Sequence, residues 1–165
     1  VLDEPLYNNS WNKLLEEQEE IVMVASAQLG QTLGPGPHRL EELLDRPFYL
    51  TERDANYRRL LDRRLAALGR SVTPALESSY ASFLLQVLEA TEGLSYLPWF
   101  LVEEKVRQGT LSVVEVEGLH TTMYGQIFCH KEKWATREMQ EFVRLCAHSA
   151  CPKGTKIDDF EQRDL

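Results

Sequence analysis

Apolar positions recur along the chain with the periods of strands and helices in turn, and breakers separate them. Glu20-Ile21-Val22-Met23-Val24-Ala25-Ser26 is a continuous apolar run with β-branched residues, bounded by acids, as expected of a buried strand. The segment from Gly30 to Pro37 holds three of the nine glycines and two of the seven prolines, which predicts a loop. Leu40, Leu43 and Leu44, at i, i+3 and i+4, predict one or two helical turns within residues 38–45, stopped by Pro47. Phe48-Tyr49-Leu50 reads as a second strand. The polar Thr51-Glu52-Arg53-Asp54 leads into a helix from about Ala55, with Tyr57, Leu61, Leu65 and Leu68 on one face and Gly69 as its stop. Arg58, Arg59, Arg63 and Arg64 are expected on its exposed side.

Residues 72–76 predict a third strand, weakened by Pro74, which suits an edge position or the strand entry better than a central place in a sheet. Ser78 or Ser79 would cap the next helix, with Phe83, Leu84, Val87 and Leu88 as its apolar stripe and Gly93 as its end. A strand over Leu94-Ser95-Tyr96-Leu97 follows, closed by Pro98. Strands and helices alternating with short connections argue for a parallel sheet covered by helices. Beyond it, residues 99–108 predict a short helix, 111–116 a half-exposed strand and 123–129 another strand. A final helix, capped by Thr136 and stapled by Trp134, would carry Met139, Phe142, Val143 and Cys146 on its apolar stripe. Residues 152–165 are polar and expected to form a loose tail.

Composition narrows the functional classes. Over 165 residues, 43% are hydrophobic and 27% charged, close to the globular average. No apolar run approaches the ~18 residues of a membrane span. Lys and Arg number 18 against 26 Asp and Glu, a net charge of −8, which disfavours a broad nucleic-acid footprint because phosphate affinity comes mainly from cations. Three cysteines at uneven spacing, Cys129, Cys146 and Cys151, point to a reducing compartment and hence the cytoplasm rather than a disulfide framework. Val1-Leu2-Asp3-Glu4-Pro5 lacks an initiator Met and the features of a signal peptide, so the chain is expected to begin inside a longer protein.

Candidate chemistry is sparse. Gly34-Pro35-Gly36-Pro37 lacks the backbone N–H donors of a phosphate cradle. Cys146-Ala147-His148-Ser149-Ala150-Cys151, with Cys129-His130, offers zinc-ligand types at a spacing unlike the usual knuckle, and Cys146 falls on an apolar stripe. His38, His120, His130 and His148 have no nucleophile or carboxylate at a recognisable motif spacing, so no enzyme, cofactor or metal is expected. The strand-to-helix junctions are more informative, because ligands of open α/β sheets bind beyond the carboxyl ends of strands. Thr51 to Asn56 and Glu77-Ser78-Ser79 offer hydroxyls and helix N-terminal N–H groups, a combination suited to a small anion or carboxylate. Plain helix capping is the competing explanation.

Several passages together resemble the effector-binding domain of LysR-type transcriptional regulators. They are Glu19 to Ser26, Leu40-Glu41-Glu42-Leu43, Arg46-Pro47-Phe48-Tyr49-Leu50 and Arg58 to Asp62. Closer still are Leu76-Glu77-Ser78-Ser79, then Gly93-Leu94-Ser95-Tyr96-Leu97-Pro98 with the helix after it, Gly109-Thr110-Leu111, and Trp134 with Phe142. The resemblance implies an α/β fold of the type II periplasmic-binding-protein kind. Its two Rossmann-like lobes are joined by crossover strands and hold a small effector between them. On that template residues 1–19 end the first lobe, 20–98 form the second lobe with its outgoing crossover, 99–147 return to the first lobe, and 148–165 are a tail. One lobe is complete and the other is represented by its C-terminal part. The opening of the first lobe and a winged helix-turn-helix would precede Val1.

The resemblance further implies a regulator that is a homodimer or tetramer and touches DNA only through a domain outside these residues, with no membrane partner. The effector would be a carboxylate or an amino acid, contacted by Thr51, Glu52 and Asn56, with Ser78, Ser79, Gly93 and Leu94 behind them. Glu52 argues against a simple dianion unless Arg53 offsets it. Thr91, where the family commonly has a small residue, and Tyr96, bulkier than the usual aliphatic, would alter the wall near Gly93. A periplasmic solute-binding protein of a transporter is the alternative with the same fold type. A small zinc or thiol enzyme using Cys146, His148 and Cys151 is the third.

Overall fold

The computed structural model describes residues 4–133, 136–149 and 156–157. They group into two compact units, one spanning Glu20–Thr122, the other combining Val1–Glu19 with Met123–Leu165. The first strand, β1 (Trp11–Ser26), contributes to both. Its Ile21 to Ser26 are all buried, which is why they read as a continuous apolar run rather than an alternating one.

In the 20–122 unit β1 lies between two antiparallel neighbours. Ile21 to Ala25 pair with β4 (Leu94–Pro98), in register Ile21↔Pro98 to Ala25↔Leu94, and Val24 to Ser26 pair with β5 (Leu111–Val113). β4 is joined on its other side to β2 (Tyr49–Leu50) by a parallel bridge from Phe48 to Leu94 and by the Leu94 N–H on Pro47 O at 2.9 Å. β2 in turn pairs in parallel with β3 (Leu76–Glu77). The parallel arrangement predicted from the element order therefore holds for β3, β2 and β4 and fails for β1, which runs the other way. An apolar run carries no sign of its direction.

Helices connect these strands. α1 (Ala27–Leu33) starts directly after β1, where Ser26 Oγ accepts the Leu29 N–H at 3.2 Å. This corrects the loop expected over 30–37. Gly30 is helical and is there because of close packing: a Cβ on it would lie 2.5 Å from Ser112 Cβ. The chain leaves the helix at Gly34, whose φ of 74° suits glycine. Residues 40–43 form a single 3-10 turn, and β3 is confined to Leu76–Glu77, overlapping the strand expected over 72–76 only at Leu76.

α2 (Asn56–Ala67) buries Leu61 and Leu65 and ends at Gly69, whose N–H bonds Ala66 O at 2.9 Å. α3 (Ala81–Ala90) buries Leu84, Leu85 and Leu88, while Phe83 is exposed, so its stripe is rotated from the expected one. Its N-cap is Tyr80. Neither Ser78 nor Ser79 is the N-cap; Ser78 Oγ instead accepts the Tyr80 N–H at 3.1 Å and shapes the preceding turn. α4 (Trp99–Arg107) follows β4 directly. Val22, Val24, Tyr49, Leu84, Leu88, Leu97 and Val102 meet in the core between sheet and helices.

In the other unit, β6 (Thr121–His130) pairs with β1, and β7 (Lys156–Ile157) pairs with β1 at Leu15 and Glu16. A strand thus stands within the segment expected to be a loose tail. α5 (Arg137–Ser149) begins where Thr136 Oγ1 accepts the Met139 N–H at 3.3 Å, as predicted. Leu14, Leu15, Cys129 and Val143 form its core, with Ile127, Met139 and Cys146 packed against them. Phe142 departs from the expected stripe and is 59% exposed. Trp134 lies outside the described residues.

Candidate functional site

At the carboxyl ends of β2 and β3 the chain turns into α2 and towards α3. The Ser78 N–H bonds Leu50 O at 3.1 Å, which prolongs the β2–β3 ladder and brings Ser78 level with Thr51. The Ala55 N–H bonds Glu52 O at 3.1 Å and closes the turn into α2. Ala55, the N-cap, has no side-chain oxygen, so the first N–H groups of α2 lack a side-chain cap. Asn56 Oδ1 accepts from Arg59 Nη2. Thr51, Glu52, Asn56, Ser78 and Ser79 thus come from one end of the sheet.

Arg58 is the residue that the sequence reading misplaced. It is 2% exposed rather than on the solvent side of α2. Its Nε donates to both carboxylate oxygens of Asp62 at 3.1 Å, and its Nη1 to Thr51 O at 2.9 Å and Glu77 Oε2 at 3.4 Å. One guanidinium therefore ties α2 to the ends of β2 and β3. The signal was present: Arg58, Leu61, Leu65 and Leu68 stand at i, i+3, i+7 and i+10, on the inward face.

Two polar atoms at this end are out of solvent and without a hydrogen-bond partner, Thr51 Oγ1 and Glu52 Oε2. Thr51 is 3% exposed. Burial pushes the Tyr57 hydroxyl pKa up, partly offset by the nearby Thr51 hydroxyl and reinforced by the Glu52 charge. The two hydroxyls are close, yet they do not meet in hydrogen-bonding geometry. Buried polar groups are normally paired, so adjacent unpaired ones call for an explanation.

Gly93 and Leu94 stand elsewhere. Leu94 is level with Phe48, three residues before Thr51 on parallel strands, or about 10 Å along the sheet. A Cβ on Gly93 would lie 2.2 Å from Tyr49 Cε2, so this glycine makes room for a core ring. Leu94 is fully buried, and the neighbouring Ser95 Oγ donates to Tyr49 O at 2.7 Å. Thr91 Oγ1 donates back to Val87 O at 2.6 Å. Tyr96 is a core residue whose hydroxyl pKa is raised by burial, with a small offset from Thr121.

A concavity of about 540 Å³ opens at that same entry end of β4, its lining including Ser26, Gln28, Glu89, Thr91, Glu92 and Thr110. Its carboxylates are engaged. Glu89 accepts from Lys105 Nζ at 2.6 Å and Thr110 Oγ1 at 2.7 Å, which lowers its pKa, and Glu92 accepts from Gln28 Nε2 at 2.7 Å. Among the described residues no group of three His, Cys, Asp or Glu is placed to hold a metal. Cys129 is buried and free, and Cys146 packs against its cluster. The His148 side chain and Cys151 lie outside the described residues. Among the described residues no helix is long and apolar enough to cross a membrane.

A family model described as the LysR substrate binding domain matches residues 5–150. The uncharacterized HTH-type transcriptional regulator YeiE of Escherichia coli (strain K12) is 25% identical over 138 residues, 82% of this chain and 46% of that protein. The chain thus spans about half the length of the curated relatives it matches. Among solved structures, the regulatory domain of HypT from Salmonella typhimurium, in its apo form, aligns with a TM-score of 0.68 at 17% identity, over 90% of this chain and 70% of that one. The regulatory domain of CcmR from Synechocystis PCC6803, in complex with 2-PG, aligns with a TM-score of 0.69 at 15% identity, over 92% and 73%. Likeness at these identities concerns the fold.

Proposed function

From the premise that this chain belongs to the LysR substrate-binding domain family, the effector-binding regulatory domain of LysR-type transcriptional regulators, we propose that it binds its effector at the carboxyl ends of β2 and β3. Thr51, Glu52 and Asn56 make the primary contacts, and Ser78 and Ser79 border them. Gly93 and Leu94 act from the far end of β4 by setting the packing of Tyr49 and Phe48 beneath the site. The observation that carries this reading is the buried Thr51 hydroxyl, left without a partner beside the uncapped start of α2. The effector is a small carboxylate or amino acid. That CcmR was solved with 2-PG supports a small ligand for this fold.

The family consists of transcription regulators rather than enzymes. In the whole protein, effector binding shifts the balance between two arrangements of a cytoplasmic homodimer or tetramer. A separate helix-turn-helix domain reads DNA. Only differential affinity for the two arrangements is required. The HTH-type relative favours a regulator over the transporter solute-binding protein. A thermal-shift screen of carboxylates and amino acids tests the site: a ligand that raises the melting temperature of the chain should lose its effect in Thr51→Val. An undiminished response in that variant would place the site elsewhere.

A further inference from the structure

We infer that the effector presents a protonated amine to Glu52 Oε2 and Thr51 Oγ1. The inference rests on the binding site proposed above and names its ligand class. Both oxygens are removed from solvent and unpartnered, and a carboxylate oxygen in that state is costly unless a donor reaches it. A ligand N–H would satisfy both, with Thr51 Oγ1 accepting as Glu52 does. An anionic group would meet the Glu52 charge instead.

The cations at this end do not reverse that preference. Arg58 is the one buried charged residue among the described ones, and its guanidinium faces two carboxylates, Asp62 and Glu77, besides Thr51 O. Arg53 is exposed and stands beside exposed Asp54, and Arg59 is exposed and bonded to Asn56. The Tyr57 hydroxyl stays protonated at neutral pH. No buried cation among the described residues is thus left over for a phosphate or dicarboxylate, while a charge-assisted acceptor is left over for an ammonium group.

The test is calorimetric titration of the 165-residue chain with L-alanine and lactate, which differ by an ammonium in place of a hydroxyl, and with ethanolamine and inorganic phosphate. Alanine or ethanolamine is expected to bind, and Glu52→Gln to weaken that binding about tenfold or more, as loss of a charge-assisted bond requires. The thermal melt of Glu52→Gln without ligand should be unchanged or raised, because a neutral amide replaces a carboxylate whose Oε2 is out of solvent and unpartnered. Lactate or phosphate binding that depends on Thr51 without any response to the amines would overturn the ligand class and leave the site standing. Amine binding that ignores both Thr51→Val and Glu52→Gln would overturn the class and the site together. Silence from both amines at millimolar concentration also overturns the class.

Discussion

The 20–122 unit and the unit built from the chain ends spend their apolar residues differently. The former packs α2, α3 and α4 around β2, β4 and β1. Of the hydrophobic residues that are buried among the described ones, only Leu14, Leu15, Met123, Cys129 and Val143 belong to the latter. There α5 turns Met139, Val143 and Cys146 inward and leaves Phe142 and Leu145 more than half exposed. The difference shows why the candidate site can be assembled within residues 20–122. A dense core holds β2 and β3 in register, and that register fixes where Thr51 and Ser78 emerge.

Core truncations should separate the two units most strongly. Leu88→Ala, at a fully buried position of α3, is expected to cost about 2–5 kcal/mol in chemical denaturation, whereas Phe142→Ala should stay within about 0.5 kcal/mol. Comparable losses from the two would erase the contrast. Arg58→Leu should cost about 2–3 kcal/mol: it strips the donors from Thr51 O, Asp62 and Glu77, but the carboxylates are 40% and 44% exposed, so the loss stays below that of a fully buried pair. Its loss should also weaken effector binding by loosening the β2–α2 turn, which a titration of the variant would reveal.

Gly93→Ala should cost about 1–3 kcal/mol because the new methyl meets the Tyr49 ring. Adding Tyr49→Leu should recover part of that loss, and strictly additive effects would show that the ring is not the obstacle. The smallest effects concern pH, and their signs oppose. In the 20–122 unit, Lys105 and Thr110 hold the Glu89 pKa below the usual value. Its contribution is present above the ordinary carboxylate pKa and fades as pH falls through the lowered one. On β1 in the other unit, burial and then Glu19 raise the Glu17 pKa. That contribution is present below the ordinary value and fades as pH rises through the raised one. Stability measured across the acid range should therefore lose its acid-side slope in Glu89→Gln and gain stability on the neutral side in Glu17→Gln.

What could be read from the amino-acid order was local. The β-branched run of β1, the stop of α2 at Gly69, β4 between Gly93 and Pro98, and the Thr136 cap each depend on neighbours in sequence. So does the polar turn that places Thr51 after β2. What escaped depends on residues far away. Gly30 looked like a breaker because Ser112, whose side chain it accommodates, is distant along the chain. The closeness of the Tyr49 ring to Gly93, where a Cβ would collide with it, is likewise invisible in the local sequence. The direction of β1 is absent from its composition altogether. Arg58 is an intermediate case, since its periodicity with Leu61 and Leu65 was visible but its charge argued for the opposite face.

Effector binding at the end of β2 is tested most directly by backbone amide chemical shifts of the isotopically labelled chain during titration with L-alanine. The account predicts saturable shifts centred on Thr51, Glu52, Asn56 and Ser78, with little change at Gln28, Glu89 and Glu92. Shifts confined to the concavity around those last three residues would contradict it.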